Sequence, residues 1–377
     1  MKVGILTYHF SNNYGALFQA YALRRWFIDN GYDAEFVNYH PDHVESGGEL
    51  SLRNIFTKAG LKIIFLRLMS LKEKLIGNEA CKAGFQSFKS EYLGIKSPEY
   101  KTISQIESAK LNYDLLVCGS DQIWNPSEQY GIDPVYFLDF HTSNAQVKKI
   151  SYAPSFGSSS LKSEFSEEVS GLIEKLDAVS VREKSAIKIV EELNKKSATL
   201  VPDPTVLLRD YSSLYKEYHL KSDNYVFCYY LRSRHNVGEI AEKVASELGA
   251  DLYSPHNPLR RWHEVGETVY PCPRQWLYLL GNSKFVITNS FHGTILSVLL
   301  NKPFIVIGIG GTRAKLSERV INLLRQTGLE ERLVTSYDED EILNLLNKDI
   351  RWDEVNVSVS EMRDAGMNYL KSQLPKA

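Results

Sequence analysis

Residues 285–307, which read FVITNSFHGTILSVLLNKPFIVI, constrain the fold of this chain more than any other stretch. Phe285 to Thr288 is a short apolar run that predicts a buried strand, and residues 294–300 carry apolar side chains at helical spacing. Asn301-Lys302-Pro303 ends the helix, and Phe304 to Ile307 predicts a second strand. A strand, a turn, a helix and another strand form the βαβ unit of a parallel sheet. The chain is therefore predicted to be an α/β protein.

The turn inside this unit, Asn289 to Gly293, ends a strand and opens a helix. Open parallel sheets bind ligands at the carboxyl ends of their strands, and the first N–H groups of a helix favour an anion. Ser290 is a typical helix cap, Gly293 allows a ligand to approach the backbone, and His292 can exchange a proton near neutral pH. The turn can thus supply an anion site and an acid or base, although a single His after a strand is more often a hydrogen-bonded loop residue.

Length and composition indicate a globular protein with two domains. A chain of 377 residues exceeds what one hydrophobic core usually supports. It is 43% hydrophobic and 24% charged, and its net charge of -2 argues against general nucleic-acid binding. The four cysteines lie far apart, so we expect reduced thiols rather than a metal site or disulfides. The N-terminus does not resemble a signal peptide and no apolar run reaches membrane-span length, so we expect a cytoplasmic enzyme or binding protein.

The N-terminal residues predict another βαβ unit. Lys2 to Thr7 predicts a strand and residues 16–29 predict an amphipathic helix. The dinucleotide-binding pattern GxGxxG is absent from the turn between them. Asn12, Asn13 and Gly15 either hold a polar ligand over the helix N-terminus or make a tight turn. The sequence favours neither interpretation over the other.

Residues 53–76 predict an amphipathic helix that carries six basic residues. Leu61 and Leu68 are among its apolar positions. Such a helix either lies on a membrane surface or presents a solvated face, and the solvated face is the more frequent case.

Polar residues also follow the predicted strand 114–117, in the segment CGSDQIWNP. Asp121 and Gln122 either bind substrate hydroxyls or belong to a capped helix start. Trp124 is either a platform for a sugar ring or part of the core.

Basic residues follow two further strand ends. Arg182 comes directly after the predicted strand 178–181, where it either clamps a carboxylate or phosphate or pairs with a structural Asp or Glu. Residues 308–315 form a Gly-rich turn that contains Arg313 and Lys315 and precedes a helix. A glycine turn is weak evidence by itself, but this one lies one strand after the 289–293 turn.

The alternation of strands and helices restarts after about residue 222, where residues 225–231 predict a strand. We predict an N-terminal Rossmann-like domain over residues 1–207 and a C-terminal one over residues 222–350, with the two facing a cleft. The last long helix, residues 353–372, is predicted to pack back on the N-terminal domain. Residues 254–273 are predicted to be a long functional loop.

Four pieces of the chain together resemble the polysaccharide pyruvyl transferase family. They are GILTYHFSNNYGALFQAYAL, CGSDQIWNP, SVREKSA with VPDPTVLL, and SFHGTILSVLLNKPFIVI, and they span about residues 3–307. The resemblance implies a fold similar to that of GT-B glycosyltransferases, which agrees with two Rossmann-like domains. It also implies transfer of the enolpyruvyl group of phosphoenolpyruvate to a saccharide, with formation of a pyruvate ketal in surface polysaccharide biosynthesis.

The resemblance assigns roles to the residues singled out above. Phosphoenolpyruvate carries a phosphate and a carboxylate, whose burial requires Arg, Lys or backbone N–H groups. The candidates for this role are Arg182, Arg313, Lys315 and the helix opened by Gly293. His292 is the implied general acid, and Arg182 is the second catalytic candidate. Well-studied members of the family have the pattern Arg-x-His on this turn, whereas Ser290 takes the Arg position here. We therefore expect the anion clamp to come from Arg313 or from residues 260–263.

We expect neither a metal nor a cofactor, and the implied acceptor is a nucleotide- or lipid-linked saccharide. A lipid-linked acceptor would suit a peripheral membrane contact of the basic helix 53–76. Two alternatives stay open on the same fold. One is a nucleotide-sugar glycosyltransferase, which would bind UDP or GDP, and the other is a non-catalytic saccharide-binding protein.

Overall fold

The computed structural model describes residues 1–46, 57–194, 196–231, 236–257, 265–308 and 318–375. The chain divides into two compact units. The first unit comprises Met1–Lys72, Ser87–Leu208 and Met362–Ala377, and the second comprises Glu73–Gln86 and Arg209–Glu361. Among the described residues, no helix combines the length and the apolar character needed to cross a membrane.

Short strands alternate with helices along the chain. The strands are β1 (Lys2–Leu6), β2 (Asp33–Phe36), β3 (Leu115–Cys118), β4 (Lys148–Ser151), β5 (Val179–Val181), β6 (Ala198–Leu200), β7 (Tyr225–Tyr229), β8 (Asp251–Pro255), β9 (Glu267–Val269), β10 (Phe285–Thr288), β11 (Phe304–Ile307) and β12 (Leu333–Val334). The α-helices are α1 (Tyr14–Asp29), α2 (Asp42–Ser46), α3 (Lys58–Ile76), α4 (Glu79–Ser87), α5 (Ile103–Ser108), α6 (Pro126–Gln129), α7 (Ser166–Glu174), α8 (Lys184–Asn194), α9 (Val237–Glu247), α10 (Pro273–Asn282), α11 (Phe291–Leu299), α12 (Glu318–Thr327), α13 (Glu339–Asn347) and α14 (Trp352–Gln373).

The first unit is built on a parallel sheet with the strand order β2-β1-β3-β4. A bridge between Ile150 and Ala178 connects β4 to the start of the parallel pair β5-β6. The strand order changes direction between β1 and β3. Open α/β sheets bind ligands at such a switch point, outside the carboxyl ends of the strands.

The second unit contains a six-stranded sheet with the order β12-β11-β10-β7-β8-β9, in which every neighbouring pair is parallel. Counted from β7, this is the strand order of a Rossmann sheet. The order changes direction between β7 and β10, so the switch point of this unit lies where β10 ends at Thr288.

The structure confirms the strands predicted at residues 285–288 and 304–307. The helix between them begins at Phe291, three residues earlier than predicted, because Ser290 caps it. The predicted loop over residues 254–273 is wrong in part, since it contains the end of β8 and all of β9. β9 has only three residues at the sheet edge, too few to produce a recognisable hydrophobic period.

The last helix, α14, contributes residues from Met362 onward to the first unit. There Arg363 donates a hydrogen bond from Nε to the carbonyl oxygen of Val206 at 2.8 Å. Tyr369 donates from Oη to the carbonyl oxygen of Ser151, the last residue of β4, at 2.9 Å. The C-terminal segment is therefore an integral part of the unit that begins at the N-terminus.

Candidate functional site

The second switch point is formed by the turn that follows β10. Its Asn289 accepts a hydrogen bond at Oδ1 from the backbone N–H of Leu231, at 2.6 Å, and donates from Nδ2 to the Leu231 carbonyl at 3.2 Å. Thr288 donates from Oγ1 to the carbonyl oxygen of Tyr229 at 2.6 Å. These bonds connect the ends of β7 and β10, so the turn has a fixed position at the reversal of strand order.

Ser290 begins α11 as its N-cap, as the sequence predicted. Its Oγ accepts from the backbone N–H of Gly293 at 3.4 Å, and its carbonyl accepts from the N–H of Thr294 at 2.9 Å. A Ser side chain stabilises a helix start in this way because the first N–H groups lack partners within the helix. The positive end of the α11 dipole therefore lies at this switch point, where it favours an anion.

Gly293 is closely packed against the ends of the strands. A Cβ atom at this position would lie 2.3 Å from Thr288 Oγ1 and 3.1 Å from Tyr229 Cδ1. Only a glycine lets the first turn of α11 approach the strand ends this closely. Packing therefore requires a glycine here, and the predicted approach of a ligand at Gly293 stays a prediction.

His292 lies in the first turn of α11 and is mostly buried. Its ring meets that of Phe291 edge to face, with 5.2 Å between the ring centres and 79° between the planes. The guanidinium carbon of Arg319, in the first turn of α12, lies 5.7 Å from the centre of the Phe291 ring. A cationic group therefore shares an aromatic neighbour with His292, which the predicted site had not included.

The cations that the sequence placed near His292, Arg313 and Lys315, lie outside the described residues, as does the loop 260–263. The only signal for Arg319 was its place in the helix after the Gly-rich turn. Arg319 is the cation that the described chain brings to this turn.

At the first switch point, Gln19 of α1, which is fully buried, forms hydrogen bonds to residues at the ends of both strands. Its Nε2 donates to Thr7 Oγ1 at 2.8 Å, and its Oε1 accepts from the backbone N–H of Ser120 at 3.1 Å. Thr7 donates in turn from Oγ1 to the Ser120 carbonyl at 3.3 Å. The ends of β1 and β3 are thus joined by an internal amide. Nothing in the sequence distinguished Gln19 from the other residues of a helix.

The predicted ligand-binding residues of the N-terminal turn bond to the protein's own groups. Asn13 caps α1, since its Oδ1 accepts from the backbone N–H of Ala16 at 3.1 Å. Asn12 accepts at Oδ1 from Lys89 Nζ at 2.8 Å. Gly15 is buried in the first turn of α1. This arrangement agrees with the tight turn that the sequence left open.

The turn after β3 makes similar internal contacts. Asp121 accepts at Oδ1 from the backbone N–H of Gln122 at 2.9 Å, and Gln122 accepts at Oε1 from Asn125 Nδ2 at 2.9 Å. Trp124 is fully buried and lies parallel to Phe137, with 4.9 Å between ring centres. A sugar ring has no access to its face, so Trp124 belongs to the core.

Arg182 is buried among carboxylates. Its Nε donates to Glu183 Oε1 at 3.0 Å, its Nη1 donates to Asp203 Oδ2 at 2.8 Å, and Asp121 Oδ1 lies 3.9 Å from Nη2. Burial opposes the charge of Arg182, but the carboxylates outweigh this effect and raise the pKa of the guanidinium above its ordinary value. Three carboxylates surround one cation, which makes this place unfavourable for a phosphate. We therefore assign Arg182 to structure, the alternative that the sequence left open.

His9, next to the first switch point, is a histidine that cannot act as an acid at neutral pH. It is buried, with Nδ1 2.9 Å from the Thr7 carbonyl and Nε2 3.0 Å from Asn38 Oδ1, and its ring stacks on Phe36 at 5.2 Å. Burial lowers the pKa of His9 to about 4. His9 is therefore neutral at pH 7.

The first unit also contains an open pocket of about 510 Å³. Tyr39, His43, Ile103, Gln129, Tyr130, Gly131, Ile132, Asp133 and Pro134 line it. At its wall Asp133 Oδ2 accepts from Tyr39 Oη at 2.8 Å and lies 3.5 Å from His43 Nε2. Burial raises the pKa of the Asp133 carboxyl above its ordinary value. Tyrosine rings beside hydroxyl, imidazole and carboxylate groups form a surface suited to a polyhydroxylated ring.

Comparisons with known proteins agree with this architecture. The chain is similar in structure to UDP-GlcNAc 2-epimerase from Methanocaldococcus jannaschii, with 10% identity, a TM-score of 0.53 and 99% of each chain covered. It is also similar in structure to UDP-GlcNAc 2-epimerase from Neisseria meningitidis, with 10% identity, a TM-score of 0.51 and 100% of each chain covered. At these identities the similarity shows the fold alone, which is GT-B.

Sequence comparison identifies the family. No protein of curated function matches the chain. A sequence profile described as polysaccharide pyruvyl transferase matches residues 13–311, which is most of the chain and includes the second switch point. The protein therefore belongs to the polysaccharide pyruvyl transferase family.

Proposed function

We propose that this transferase moves the enolpyruvyl group of phosphoenolpyruvate to a saccharide and closes a pyruvate ketal, as a step of surface polysaccharide biosynthesis. The observation that carries the proposal is the family match over residues 13–311, which includes a protonatable side chain, His292, at the switch point of a Rossmann sheet.

The second unit is the proposed donor side. Phosphoenolpyruvate has a carboxylate and a phosphate of roughly -1.5 to -2 charges, by analogy with a phosphate monoester. The capped N-terminus of α11 provides a positive potential, and Arg319 adds a full charge beside Phe291. We propose that Arg319 replaces the arginine that the family pattern has at the position of Ser290. Arg313 and Lys315 stay candidates for the same role.

The reaction requires proton transfer, which we assign to His292. A saccharide hydroxyl oxygen bonds to the central carbon of the enol, and the methylene carbon takes a proton from the imidazolium of His292 and becomes a methyl group. The bond between that central carbon and the phosphate oxygen then breaks. A second hydroxyl of the same saccharide bonds to the same carbon and closes the ketal. The two saccharide hydroxyls release two protons in total. One replaces the proton that His292 gave to the methyl group, and the other leaves with phosphate.

The acceptor side is assigned to the first unit. The pocket lined by Tyr39, His43, Tyr130 and Asp133 offers aromatic surface together with groups that bind hydroxyls. Its volume of about 510 Å³ lies within the range of small-molecule sites. Asp133→Asn and Tyr130→Ala should raise the KM for the saccharide about tenfold and leave the KM for phosphoenolpyruvate unchanged.

We propose a nucleotide- or lipid-linked saccharide as the acceptor and the cytoplasm as the site of the reaction. None of the four cysteines forms a disulfide, which is usual for proteins of a reducing compartment.

The test is to incubate the purified protein with phosphoenolpyruvate and a panel of nucleotide- and lipid-linked saccharides, and to measure phosphate release. We expect release with at least one acceptor and a product with the mass of a pyruvate ketal. His292→Gln should lower kcat by about 10²–10⁴-fold, the range for loss of a general acid. His219→Gln, at an exposed position, is the matched control and should leave kcat unchanged.

Two results would redirect the assignment. Absence of phosphoenolpyruvate binding, together with a rise in melting temperature on adding UDP or GDP, would indicate a nucleotide-sugar glycosyltransferase on the same fold. Saccharide binding and a cellular phenotype that are both unaffected by His292→Gln would indicate a non-catalytic saccharide-binding protein.

A further inference from the structure

Helix α3 carries an exposed row of leucines. The exposed fractions are 57% for Leu61, 55% for Leu68, 52% for Leu71 and 72% for Leu75. In the part of the chain that the structure describes, leucines are exposed only on this helix. Isolated exposed leucines are ordinary, but a contiguous row marks an interaction surface.

The four leucines form one stripe along the helix. At about 100° of rotation and 1.5 Å of rise per residue, they fall within an arc of about 80° and span about 21 Å. Ile63, which is buried, lies about 120° from the centre of the stripe around the helix axis. The helix thus packs on the protein through another face, and the leucine stripe is additional to that packing.

Cations border the stripe on both sides. Arg67 lies about 40° beyond the edge at Leu71, and Lys72 lies about 20° beyond the edge at Leu61. Both side chains are exposed. Glu73, the one acidic residue in a helix sequence with five basic residues, lies on the opposite side and pairs with His256 at 3.4 Å.

This charge distribution distinguishes between two possible partners. In a dimer formed by two copies of the stripe, the basic borders of one helix would face the same borders of the other, and like charges would oppose the contact. An anionic bilayer instead attracts the borders while its acyl region takes up the leucines. The overall net charge of -2 makes the basic helix a local feature rather than a general property of the surface.

We propose that α3 docks this protein on anionic phospholipid bilayers, with the leucine stripe lying in the plane of the interface and Arg67 and Lys72 at the headgroups. The proposal rests on α3 alone and does not depend on the reaction proposed above. It adds a membrane partner to the protein whichever acceptor it uses.

Flotation of the full-length protein with lipid vesicles tests the proposal. The protein should float with vesicles of phosphatidylcholine mixed with phosphatidylglycerol, should not float with phosphatidylcholine alone, and should bind less as salt is raised. The paired substitution Leu68→Gln with Leu75→Gln should lower the bound fraction about tenfold, as should Arg67→Glu with Lys72→Glu. Val357→Gln, at an exposed apolar position on α14, is the matched control and should bind like wild type.

Two outcomes would overturn the proposal. One is an absence of flotation with the mixed vesicles, or flotation that the leucine and the charge substitutions both leave unchanged. The other is a dimer in light scattering that Leu68→Gln with Leu75→Gln converts to a monomer, because the stripe would then bind a second copy. Melting temperatures equal to that of wild type will show that the substituted proteins are folded, as expected for exposed positions.

Discussion

The two switch points occupy equivalent places in two parallel sheets but differ in what fills them. At the first, Gln19 bridges the strand ends and Arg182 is buried nearby among carboxylates. At the second, a turn of small polar residues leads into a capped helix that carries His292. The same topological position is therefore filled by structural contacts in one unit, whereas in the other it is the catalytic site that we propose.

The charged side chains around the two switch points also differ. Three carboxylates surround Arg182 near the first switch point, so this cluster is unfavourable for an anion. The second combines the positive end of α11 with the guanidinium of Arg319 near Phe291, which attracts one. The anionic donor that we propose would therefore bind at the second place rather than the first, although both places follow strand ends.

The largest expected effect is on the buried ion cluster. Arg182→Met leaves its carboxylates without a countercharge, so the free energy of unfolding should fall by about 3–5 kcal/mol in urea denaturation. Arg25→Met removes an exposed ion pair with Asp29 and should change it by less than about 0.5 kcal/mol. An Arg182 variant with wild-type stability and no activity would instead make Arg182 a catalytic residue.

The second prediction concerns His9 and pH. His9 has a pKa of about 4 when folded and about 6.5 when unfolded, so the unfolded chain binds one proton more between these values. Stability from this residue is fully present above pH 6.5 and falls by about 3 kcal/mol as the pH is lowered to 4. His9→Gln should remove that part of the slope in unfolding measured across the range. Parallel curves for the variant and wild type would show that His9 is already charged in the folded state.

Gly293→Ala tests whether the second switch point is as closely packed as the first. The added methyl group meets Thr288 and Tyr229, so stability should fall by about 1–3 kcal/mol and kcat should fall with it as the turn shifts. Gly171→Ala on α7, where a Cβ meets nothing within 4 Å, should stabilise the protein by about 0.5–1 kcal/mol. Equal changes in stability for the two substitutions would mean that the turn can accommodate a Cβ atom at residue 293.

The smallest effects concern the helix caps. Ser290→Ala and Asn13→Ala each remove one capping hydrogen bond and should each cost about 1 kcal/mol in thermal unfolding. The two substitutions should differ in calorimetric titration with phosphoenolpyruvate, because only Ser290→Ala should weaken binding of the donor. Weaker binding of phosphoenolpyruvate in Asn13→Ala alone would assign the donor site to the first unit.

Much of the fold was predictable because its signals are local. Strands β10 and β11 are continuous apolar runs, and the Ser290 cap is recognisable from its position before a helix. β9 and the two-residue β12 were not predictable, because such short strands are specified by their neighbours in the sheet.

The candidate site was predictable only where one segment contains the whole motif. Trp124 and Arg182 have the residue types of a binding site, yet partners distant in sequence make them structural, such as Asp203 for Arg182. Gly293 is similar, since the atoms that exclude a Cβ belong partly to Tyr229 on another strand. Whether a polar residue is available to a ligand depends on such distant neighbours, and these become known only with the tertiary structure.

The contribution of α14 to the first unit has a consequence for biosynthesis. Arg363 and Tyr369 bond to Val206 and Ser151, more than 150 residues earlier in the chain. While the ribosome is still translating the second unit, the first unit lacks these contacts and cannot reach its final state. The part of the protein that is made first is therefore completed only when α14 has emerged, because its last contacts are supplied by the last helix.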